Sequence, residues 1–343
     1  MKRRSLLAAP ILLLAPRLAF AQGGATPSTP AAPQTPPALT PILDKAADLT
    51  PLRTVLVAHD GATLIRRGYR GHSVTAPTNI KSASKSVISA LVGIAIDKGE
   101  LKGVDQPIAP LLRRDLPADP DPRLDTITIG NLLSMQAGLE RTSGAYYGRW
   151  ISSPNWVRAV LGRPFVDEPG GAMLYSTGST HLLSAILTRQ TGRSTLALAR
   201  DWLGPLPGFS IASWERDPQG IYFGGNQMAM SPASLLAFGE LYRNEGKAPD
   251  GRQLISPEWI ARSWEVRTQS RFTGDGYGYG WFFREIAGQS VHYAWGYGGQ
   301  MLYIVPAKKL SVVMTSDTDA PAGRSGHRDD LHALAGEIIE ALG

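Results

Sequence analysis

The chain of 343 residues contains no cysteine. This absence excludes disulfide bridges, a thiol nucleophile and thiolate metal ligands together. Histidine is scarce as well, with six residues, and these form neither a His-x-x-x-His nor a His-Glu-x-x-His pattern. A zinc hydrolase therefore has little support, and the sequence predicts no metal or other cofactor.

The sequence also lacks a basic tract with interleaved aromatic residues, so nucleic acid is not an expected partner. The formal net charge is +6, but the first 21 residues account for much of it. They contain Lys2, Arg3, Arg4 and Arg17 and no acidic residue. The remaining sequence is close to charge balance, which is typical of a mixed solvated surface.

A hydrophobic run long enough to cross a membrane is missing too. The apolar stretch from Leu6 to Ala15 is too short to span a bilayer. It follows Lys2-Arg3-Arg4 and precedes Ala19-Phe20-Ala21, a small-x-small cleavage site. This pattern predicts a signal peptide over 1–21 and a periplasmic or secreted protein without stable membrane insertion after cleavage. A retained anchor is the alternative, and a twin-arginine route matches loosely.

Residues 22–40 contain mainly proline, threonine, alanine and glycine, with almost no large apolar side chain. Such a segment cannot bury enough surface to offset its ordering entropy, so we expect a disordered linker. One folded domain is then predicted over 41–343, large enough to be stable through its core without disulfides. The sequence does not specify an oligomeric state.

The order of predicted elements indicates an α+β fold. Leu52–Gly71 has the pattern of a β-hairpin turning at Asp60-Gly61. Ser84–Lys98 is apolar on nearly every side, as in a helix buried in a domain. Helices follow over about 105–265, and strands return from Gly276. The N- and C-terminal strands are expected to form one antiparallel sheet, with the helical section as a large insertion.

Ser82 and Lys85 begin the predicted buried helix. Residues at i and i+3 share one helix face, so the lysine lies beside the serine. A serine hydroxyl needs a neighbouring base to act as a nucleophile, and a lysine in apolar surroundings loses its proton more readily. The spacing alone is weak, because Ser82 could be a helix cap and Lys85 a solvated residue.

Two further motifs strengthen the catalytic interpretation. They are Tyr175-Ser176-Thr177-Gly178, ahead of a predicted helix, and Ala294-Trp295-Gly296-Tyr297-Gly298-Gly299-Gln300, between two predicted strands. Together with Ser82-x-x-Lys85, their order and spacing resemble the serine β-lactamase and penicillin-binding superfamily from about residue 50 onwards. The resemblance is greatest to the class C-like branch, which includes carboxylesterases of β-lactamase fold and 6-aminohexanoate-dimer hydrolase.

The resemblance implies a role for each of these residues. Ser82 would attack a carbonyl and form an acyl-enzyme that water hydrolyses. Lys85 and Tyr175 would share the proton transfers, with Tyr175 kept acidic by the Lys85 charge. The backbone N–H groups of Ser82 and Tyr297 would form the oxyanion hole.

The sequence departs from the family at two positions. Thr177 stands where the lactamases have the asparagine of Tyr-x-Asn, and Ala294-Trp295-Gly296 stands where they have Lys-Thr-Gly or His-x-Gly. The missing strand cation normally meets a substrate carboxylate, so we expect an uncharged small-molecule ester or amide bound beside Trp295 and Gly296. Activity on β-lactams or D-Ala peptides is the alternative, as is a non-catalytic binding protein of the same fold.

Tyr146, Tyr147, Trp150 and Trp156 form an aromatic cluster in a region that borders the cleft in the family. Tyr147 and Trp150 are therefore candidate substrate contacts, although aromatic residues also dominate ordinary cores. A Ser-His-Asp hydrolase has less support, because Gly208-Phe209-Ser210-Ile211-Ala212 lacks the last glycine of a Gly-x-Ser-x-Gly elbow.

Overall fold

The computed structural model describes residues 35–342, so the predicted leader and most of the predicted linker lie outside the described residues. A 3-10 turn, Pro37–Leu39, opens this part of the chain. Leu39 is fully buried and belongs to the same apolar cluster as Leu331 and Ile338. Packed structure therefore begins a few residues before the predicted boundary at Pro41, because a single leucine anchors this segment.

Eleven β-strands form within the described range. They are β1 Leu52–His59, β2 Ala62–Gly68, β3 Thr78–Asn79, β4 Ser213–Trp214, β5 Met228–Met230, β6 Thr268–Gln269, β7 Gly276–Tyr277, β8 Phe282–Ile286, β9 Gln289–Gly296, β10 Gln300–Val305 and β11 Leu310–Ser316.

The same range contains eleven α-helices. They are α1 Thr40–Lys45, α2 Ser84–Asp97, α3 Ile129–Leu133, α4 Tyr147–Ile151, α5 Trp156–Leu161, α6 Thr177–Thr191, α7 Thr195–Trp202, α8 Pro232–Arg243, α9 Pro257–Ser263, α10 Ala322–Ser325 and α11 His327–Ala341. None of these helices is long and apolar enough to cross a membrane.

The main sheet has the strand order β2-β1-β11-β10-β9-β8-β7-β6, and neighbouring strands run antiparallel. The N-terminal hairpin thus joins the C-terminal strands, for example with Val57 opposite Val312. Its tight turn uses positive φ at Asp60 (47°) and Gly61 (82°), as the sequence predicts. A small second sheet has the order β3-β5-β4. The predicted α+β fold with a helical insertion is confirmed.

The two faces of the main sheet support two apolar clusters. Along β1, Leu56 and Ala58 belong to the cluster that contains the helical insertion, whereas Val55 and Val57 belong to the one that contains α1 and α11. This alternation follows from the period of two in a strand. Helix α2 lies in the first cluster and packs against α6, α7, α9 and β9. Its N-terminus is therefore placed where the sheet and the helical section meet.

Candidate active site

Ser82 lies in a one-turn 3-10 helix, Lys81–Ala83, that leads directly into α2. Lys81 adopts a positive φ of 51°, and its carbonyl accepts a hydrogen bond from the Ser84 hydroxyl at 2.7 Å. This hydrogen bond therefore fixes the turn that contains Ser82. Ser82 remains partly exposed, so its hydroxyl can be reached from outside, while Lys85 in the first turn of α2 is 2% exposed.

The amine of Lys85 has three polar neighbours and no carboxylate partner among residues 35–342. Its Nζ lies 3.0 Å from Ser82 Oγ, 3.2 Å from Thr177 Oγ1 and 2.7 Å from the Gly225 carbonyl oxygen. Burial lowers the pKa of Lys85 to about 7. A neutral amine has two N–H donors and one lone pair, so donation to Gly225 and Thr177 leaves the lone pair for the Ser82 hydroxyl.

Two adjacent glycines allow the 224–225 segment to approach Lys85. A Cβ on Gly225, whose φ is +82°, would lie 2.4 Å from Thr180 Oγ1 and 2.7 Å from Lys85 Cγ. A Cβ on Gly224 would lie 2.2 Å from the Thr180 carbonyl oxygen. Any side chain here would push the Gly225 carbonyl away from the lysine. The contact between Lys85 and the Gly225 carbonyl is not predicted by the motifs above, and its one signal in the sequence is the Gly224-Gly225 pair.

A fully buried histidine–aspartate pair fixes the same segment. His181 Nε2 of α6 lies 3.0 Å from Asp217 Oδ2, and both side chains are inaccessible. His181 Nδ1 accepts the Gly224 N–H at 3.3 Å, and Asp217 accepts the N–H of Ile221 at 2.8 Å. The His181–Asp217 pair therefore connects α6 to the loop that presents the Gly225 carbonyl. The pair makes no hydrogen bond to Ser82 or Lys85 within the described residues.

Tyr175 lies two residues before the start of α6, and its ring centroid lies 5.1 Å from Lys85 Nζ. The ring stacks on Phe282 at 6.1 Å and meets Tyr277 edge-on at 6.2 Å. Burial raises the pKa of Tyr175 to about 12, and the adjacent Ser82 hydroxyl opposes this rise only in part. The expectation that Lys85 keeps Tyr175 acidic is therefore wrong. Loss of solvation raises the pKa of Tyr175 more than the Ser82 hydroxyl lowers it. The phenol therefore stays protonated near neutral pH.

Thr177 occupies the place of the family asparagine and joins Lys85 to the cleft. Its Oγ1 lies 3.0 Å from Ser143 Oγ, and its N–H donates to the same Ser143 oxygen at 2.9 Å. Thr177 Oγ1 also accepts from Lys85, and either hydroxyl of the Thr177–Ser143 pair can donate to the other. Ser143 lines the cleft, so a chain of hydroxyl groups connects the buried amine to substrate space.

The other predicted oxyanion donor lies just beyond β9. A Cβ on Gly296 would fall 2.2 Å from the Ile80 carbonyl oxygen, so only glycine lets the end of β9 press against the turn before Ser82. This contact holds the end of β9, which Tyr297 follows, against the segment that precedes Ser82. The buried Gln300 side chain holds the following turn, donating to the Ser316 carbonyl at 2.9 Å. Ser82 and Tyr297 therefore line the same cleft, and their pairing as oxyanion donors stays a prediction.

The cleft above Ser82 has a volume of about 730 Å³. Tyr147, Tyr175 and Trp295 line it, with Phe272 and Tyr297 exposed at its edge. Tyr147 accepts a hydrogen bond from Asn226 Nδ2 at 2.9 Å.

Trp150 does not line the cleft, contrary to expectation. It is 2% exposed, its indole N–H donates to the Trp156 carbonyl at 3.1 Å, and its ring packs against His181 and Phe223. Trp150 is a core residue, because its helix α4 turns that face toward α5 and α6. Gly296, another candidate for a substrate contact, does not line the cleft either, because it is buried and has no side chain to present to a substrate.

No cluster of three or more histidine, aspartate or glutamate side chains that could hold a metal ion occurs within residues 35–342. The polar groups that line the cleft with Ser82 include hydroxyls, side-chain amides, the lysine Lys81 and the arginines Arg141 and Arg324.

Comparison with known proteins identifies the family. A family model described as Beta-lactamase matches residues 51–337, so this chain belongs to the β-lactamase family, as the sequence motifs predict. No curated protein gave a significant match.

Solved structures share the fold at low identity. EstCE1, a hydrolase with promiscuous acyltransferase activity, has a TM-score of 0.70 at 20% identity over 89% of this chain and 97% of its own. The class C β-lactamase from Rhodobacter sphaeroides has a TM-score of 0.66 at 15% identity, over 89% and 99% of the two chains. The octameric penicillin-binding protein homologue from Pyrococcus abyssi has a TM-score of 0.68 at 18% identity, over 88% and 78%.

Proposed function

We propose that this protein is an exported serine hydrolase that cleaves a small-molecule ester or amide through an acyl-enzyme on Ser82. One observation carries the proposal: the buried Lys85 amine, with a pKa lowered to about 7, lies 3.0 Å from the Ser82 hydroxyl. A lysine that is uncharged near neutral pH can accept the serine proton, which an exposed lysine cannot do.

In the acylation step, the Ser82 oxygen bonds to the substrate carbonyl carbon while its proton passes to Lys85 Nζ. The N–H groups of Ser82 and Tyr297 stabilise the oxyanion that forms. The bond to the leaving oxygen or nitrogen then breaks, and that atom takes a proton from Lys85 through the Tyr175 hydroxyl. A protonated Tyr175, with its pKa raised to about 12, suits this donor role.

In the deacylation step, a water molecule attacks the acyl carbon and gives its proton to the same Lys85–Tyr175 pair. The bond to Ser82 breaks, the serine recovers a proton and the acid product leaves. Protons therefore pass through Lys85 and Tyr175 in opposite directions in acylation and deacylation.

An ester or amide substrate is favoured over a β-lactam by the late strand, where Ala294-Trp295-Gly296 stands in place of Lys-Thr-Gly or His-x-Gly and the cation is missing. The comparison with EstCE1, described as a hydrolase with promiscuous acyltransferase activity, supports acyl-transfer chemistry on this fold. Activity on β-lactams or D-Ala peptides, or binding without turnover, is the competing function, since the class C enzyme and the penicillin-binding homologue share the fold as well.

A fluorophosphonate probe tests the proposal directly. We expect one adduct per chain by intact mass, placed on Ser82 by peptide mapping and absent from Ser82→Ala. A panel of aryl esters, short amides, cephalosporins and D-Ala-D-Ala peptides then ranks the substrates. Absence of any adduct on the wild-type protein would favour the non-catalytic binding protein, and faster turnover of a cephalosporin than of a short aryl ester would favour a lactamase.

Export is part of the proposal and rests on the charged start, short apolar run and Ala19-Phe20-Ala21 site. We expect the protein recovered from the periplasm or medium to begin at Gln22, measured by intact mass. A full-length mass in the membrane fraction would instead indicate a retained anchor.

A further inference from the structure

The carbonyl that accepts a hydrogen bond from Lys85 belongs to the most flexible kind of backbone, a pair of adjacent glycines. Glycine has no Cβ to restrict its dihedral angles, and Gly225 adopts a φ of +82°. Its carbonyl oxygen lies 2.7 Å from Lys85 Nζ. A rotation of the glycine backbone would move this oxygen and release the amine from its place beside Ser82. The position of the amine therefore depends on what holds residues 224–225.

Helix α6 holds this segment at two points. His181 Nδ1 accepts the Gly224 N–H at 3.3 Å, and a Cβ on Gly224 would lie 2.7 Å from His181 Cα. The glycine therefore lies directly against the helix backbone. One helical turn further on, the Ser184 hydroxyl donates to the Tyr222 carbonyl at 2.6 Å. Of the two contacts, the one from His181 lies next to the carbonyl that Lys85 uses.

The hydrogen bonds of His181 require one particular tautomer. Nδ1 accepts from a backbone N–H and so carries no proton, which places the ring proton on Nε2. Nε2 then donates to Asp217 Oδ2 at 3.0 Å. The other oxygen, Asp217 Oδ1, accepts the N–H groups of Gln219 and Ile221, both at 2.8 Å. Because every neighbour of the carboxylate is a donor, Asp217 fixes the tautomer that Gly224 needs.

The histidine–aspartate pair is also shielded from water. Both side chains are inaccessible, and the ring centroids of Trp150, Trp156 and Phe223 lie 5.8, 5.5 and 5.8 Å from that of His181. A hydrogen bond lost in such surroundings is not replaced by one to solvent, so the unpaired group bears its full desolvation cost. The loop would then move away from α6 to satisfy its N–H groups.

We propose that Asp217 and His181 are positioning residues for the general base. The carboxylate fixes the histidine tautomer, and the ring fixes the glycine pair. The Gly225 carbonyl then aims the Lys85 amine at the nucleophile. A base that is oriented by a third group is a general device of nucleophilic catalysis, and here the orientation passes through a peptide carbonyl. This inference rests on the proposed function, because it assigns a supporting role to residues behind the same base.

Two substitutions of His181 separate the two hydrogen bonds of its ring. Asparagine places an amide oxygen near the position of Nδ1 and can still accept from Gly224, whereas glutamine places an amide nitrogen near Nε2 and can still donate to Asp217. Each variant therefore loses one buried hydrogen bond. We expect His181→Gln to lower kcat/KM for a neutral aryl ester by about 10²-fold, as for a catalytic group displaced by about 1 Å. His181→Asn should retain most of the wild-type rate.

Asp217→Asn tests the tautomer without changing the histidine. The new amide nitrogen must face either the two backbone N–H groups or His181 Nε2. In the first orientation donors meet donors and the turn opens. In the second, the ring proton moves to Nδ1, which can no longer accept from Gly224. Either orientation releases the glycine pair, so Asp217→Asn should slow the reaction to a similar extent as His181→Gln.

The pH profile gives a readout that a loss of stability alone would not move. Burial lowers the pKa of Lys85 to about 7, and the titratable side chain beside the amine is Tyr175, whose ring centroid lies 5.1 Å away. When the Gly225 carbonyl moves, water reaches the amine and its pKa rises toward the ordinary lysine value. We expect the acidic limb of kcat/KM in His181→Gln and Asp217→Asn to shift upward by about half a pH unit or more. His181→Asn should keep the wild-type limb.

His332→Asn is the matched control for the loss of a buried histidine. His332 is 6% exposed, and its Nδ1 lies 3.1 Å from the hydroxyl of Tyr303, which belongs to the other apolar cluster. This variant should have a lower free energy of unfolding but the wild-type rate and acidic limb. Urea unfolding of all the variants identifies those that fold, and kinetics are compared among these.

The outcomes separate this inference from the proposed function. Equal rates and a wild-type acidic limb in folded His181→Asn and His181→Gln would overturn the positioning role and leave the pair as core structure. If a variant of residue 181 does not fold, a wild-type rate and limb in Asp217→Asn would overturn it as well. The proposed function fails on a different result, which is an ester turnover by Ser82→Ala as fast as that of the wild type.

Discussion

Replacing Lys85 by methionine is expected to lower kcat/KM for a neutral aryl ester by about 10³-fold, within the range for loss of a general base. Methionine fills a similar volume but has neither a lone pair for Ser82 nor an N–H for Gly225 and Thr177. The fluorophosphonate reaction should slow as well, because the same base activates the serine. Steady-state kinetics and the labelling half-time measure both effects.

The pH dependence of the wild-type protein gives a second readout of Lys85. Only the neutral amine accepts the serine proton, and its pKa is lowered to about 7. We therefore expect kcat/KM to rise about tenfold per pH unit below pH 7 and to level off above it. An unperturbed lysine would place this rise near pH 10. The residual activity of Lys85→Met should lack the acidic limb.

Stability should also depend on pH through Lys85. Between pH 7 and about 10.4 the unfolded chain binds the lysine proton and the folded chain does not. The free energy of unfolding therefore contains a contribution that rises with pH over this window, and that is lost as pH falls through the folded pKa. Urea unfolding of the wild type and Lys85→Met at several pH values isolates it, because the variant lacks this contribution.

Lys98→Met is the matched control, since Lys98 is an exposed lysine at the end of the same helix α2. It should keep the wild-type rate and the acidic limb. Near-normal turnover by Lys85→Met, or an acidic limb that survives in it, would contradict the assignment of Lys85 as the base and point to Tyr175 instead.

Much of this site could be predicted because its chemistry is local in sequence. Ser82 and Lys85 are three residues apart, in a 3-10 turn and the first turn of the helix that continues it. The spacing therefore allows their contact, and the apolar pattern of α2 predicts the burial that lowers the lysine pKa. The hairpin at Asp60-Gly61 is local in the same way. Pairing of β1 with β11 is not local. The order of the predicted elements indicates one sheet of N- and C-terminal strands, but not which strands are neighbours.

The remaining features depend on contacts between distant segments. The pKa of Tyr175 is set by packing against Phe282 and Tyr277, which join it only in the folded chain. Trp150 is in the core because α4 packs against α5 and α6. Arg141 and Arg324 are 183 positions apart in the sequence, and no local pattern indicates that both line one cleft.

Gly296→Ala is expected to reduce kcat by about 10²-fold with the secondary structure intact. The new Cβ would lie 2.2 Å from the Ile80 carbonyl oxygen and 2.9 Å from Gln300 Cβ, so β9 must move away from the turn before Ser82. The Tyr297 N–H, the second proposed oxyanion donor, would then move away from the Ser82 N–H. Loss of one oxyanion donor typically costs about 10²- to 10³-fold in kcat.

The measurement pairs kinetics with thermal unfolding, so that a misfolded variant is recognised. Because the donor acts on the oxyanion, kcat should fall more than KM changes, and the affinity for a boronic acid that mimics the tetrahedral intermediate should fall in parallel. Gly148→Ala is the matched control, because a Cβ at that helical glycine meets nothing within 4 Å. A folded Gly296→Ala protein with wild-type kcat would remove Tyr297 from the oxyanion hole, since the displaced strand would then have had no effect on the charge that develops at the carbonyl oxygen.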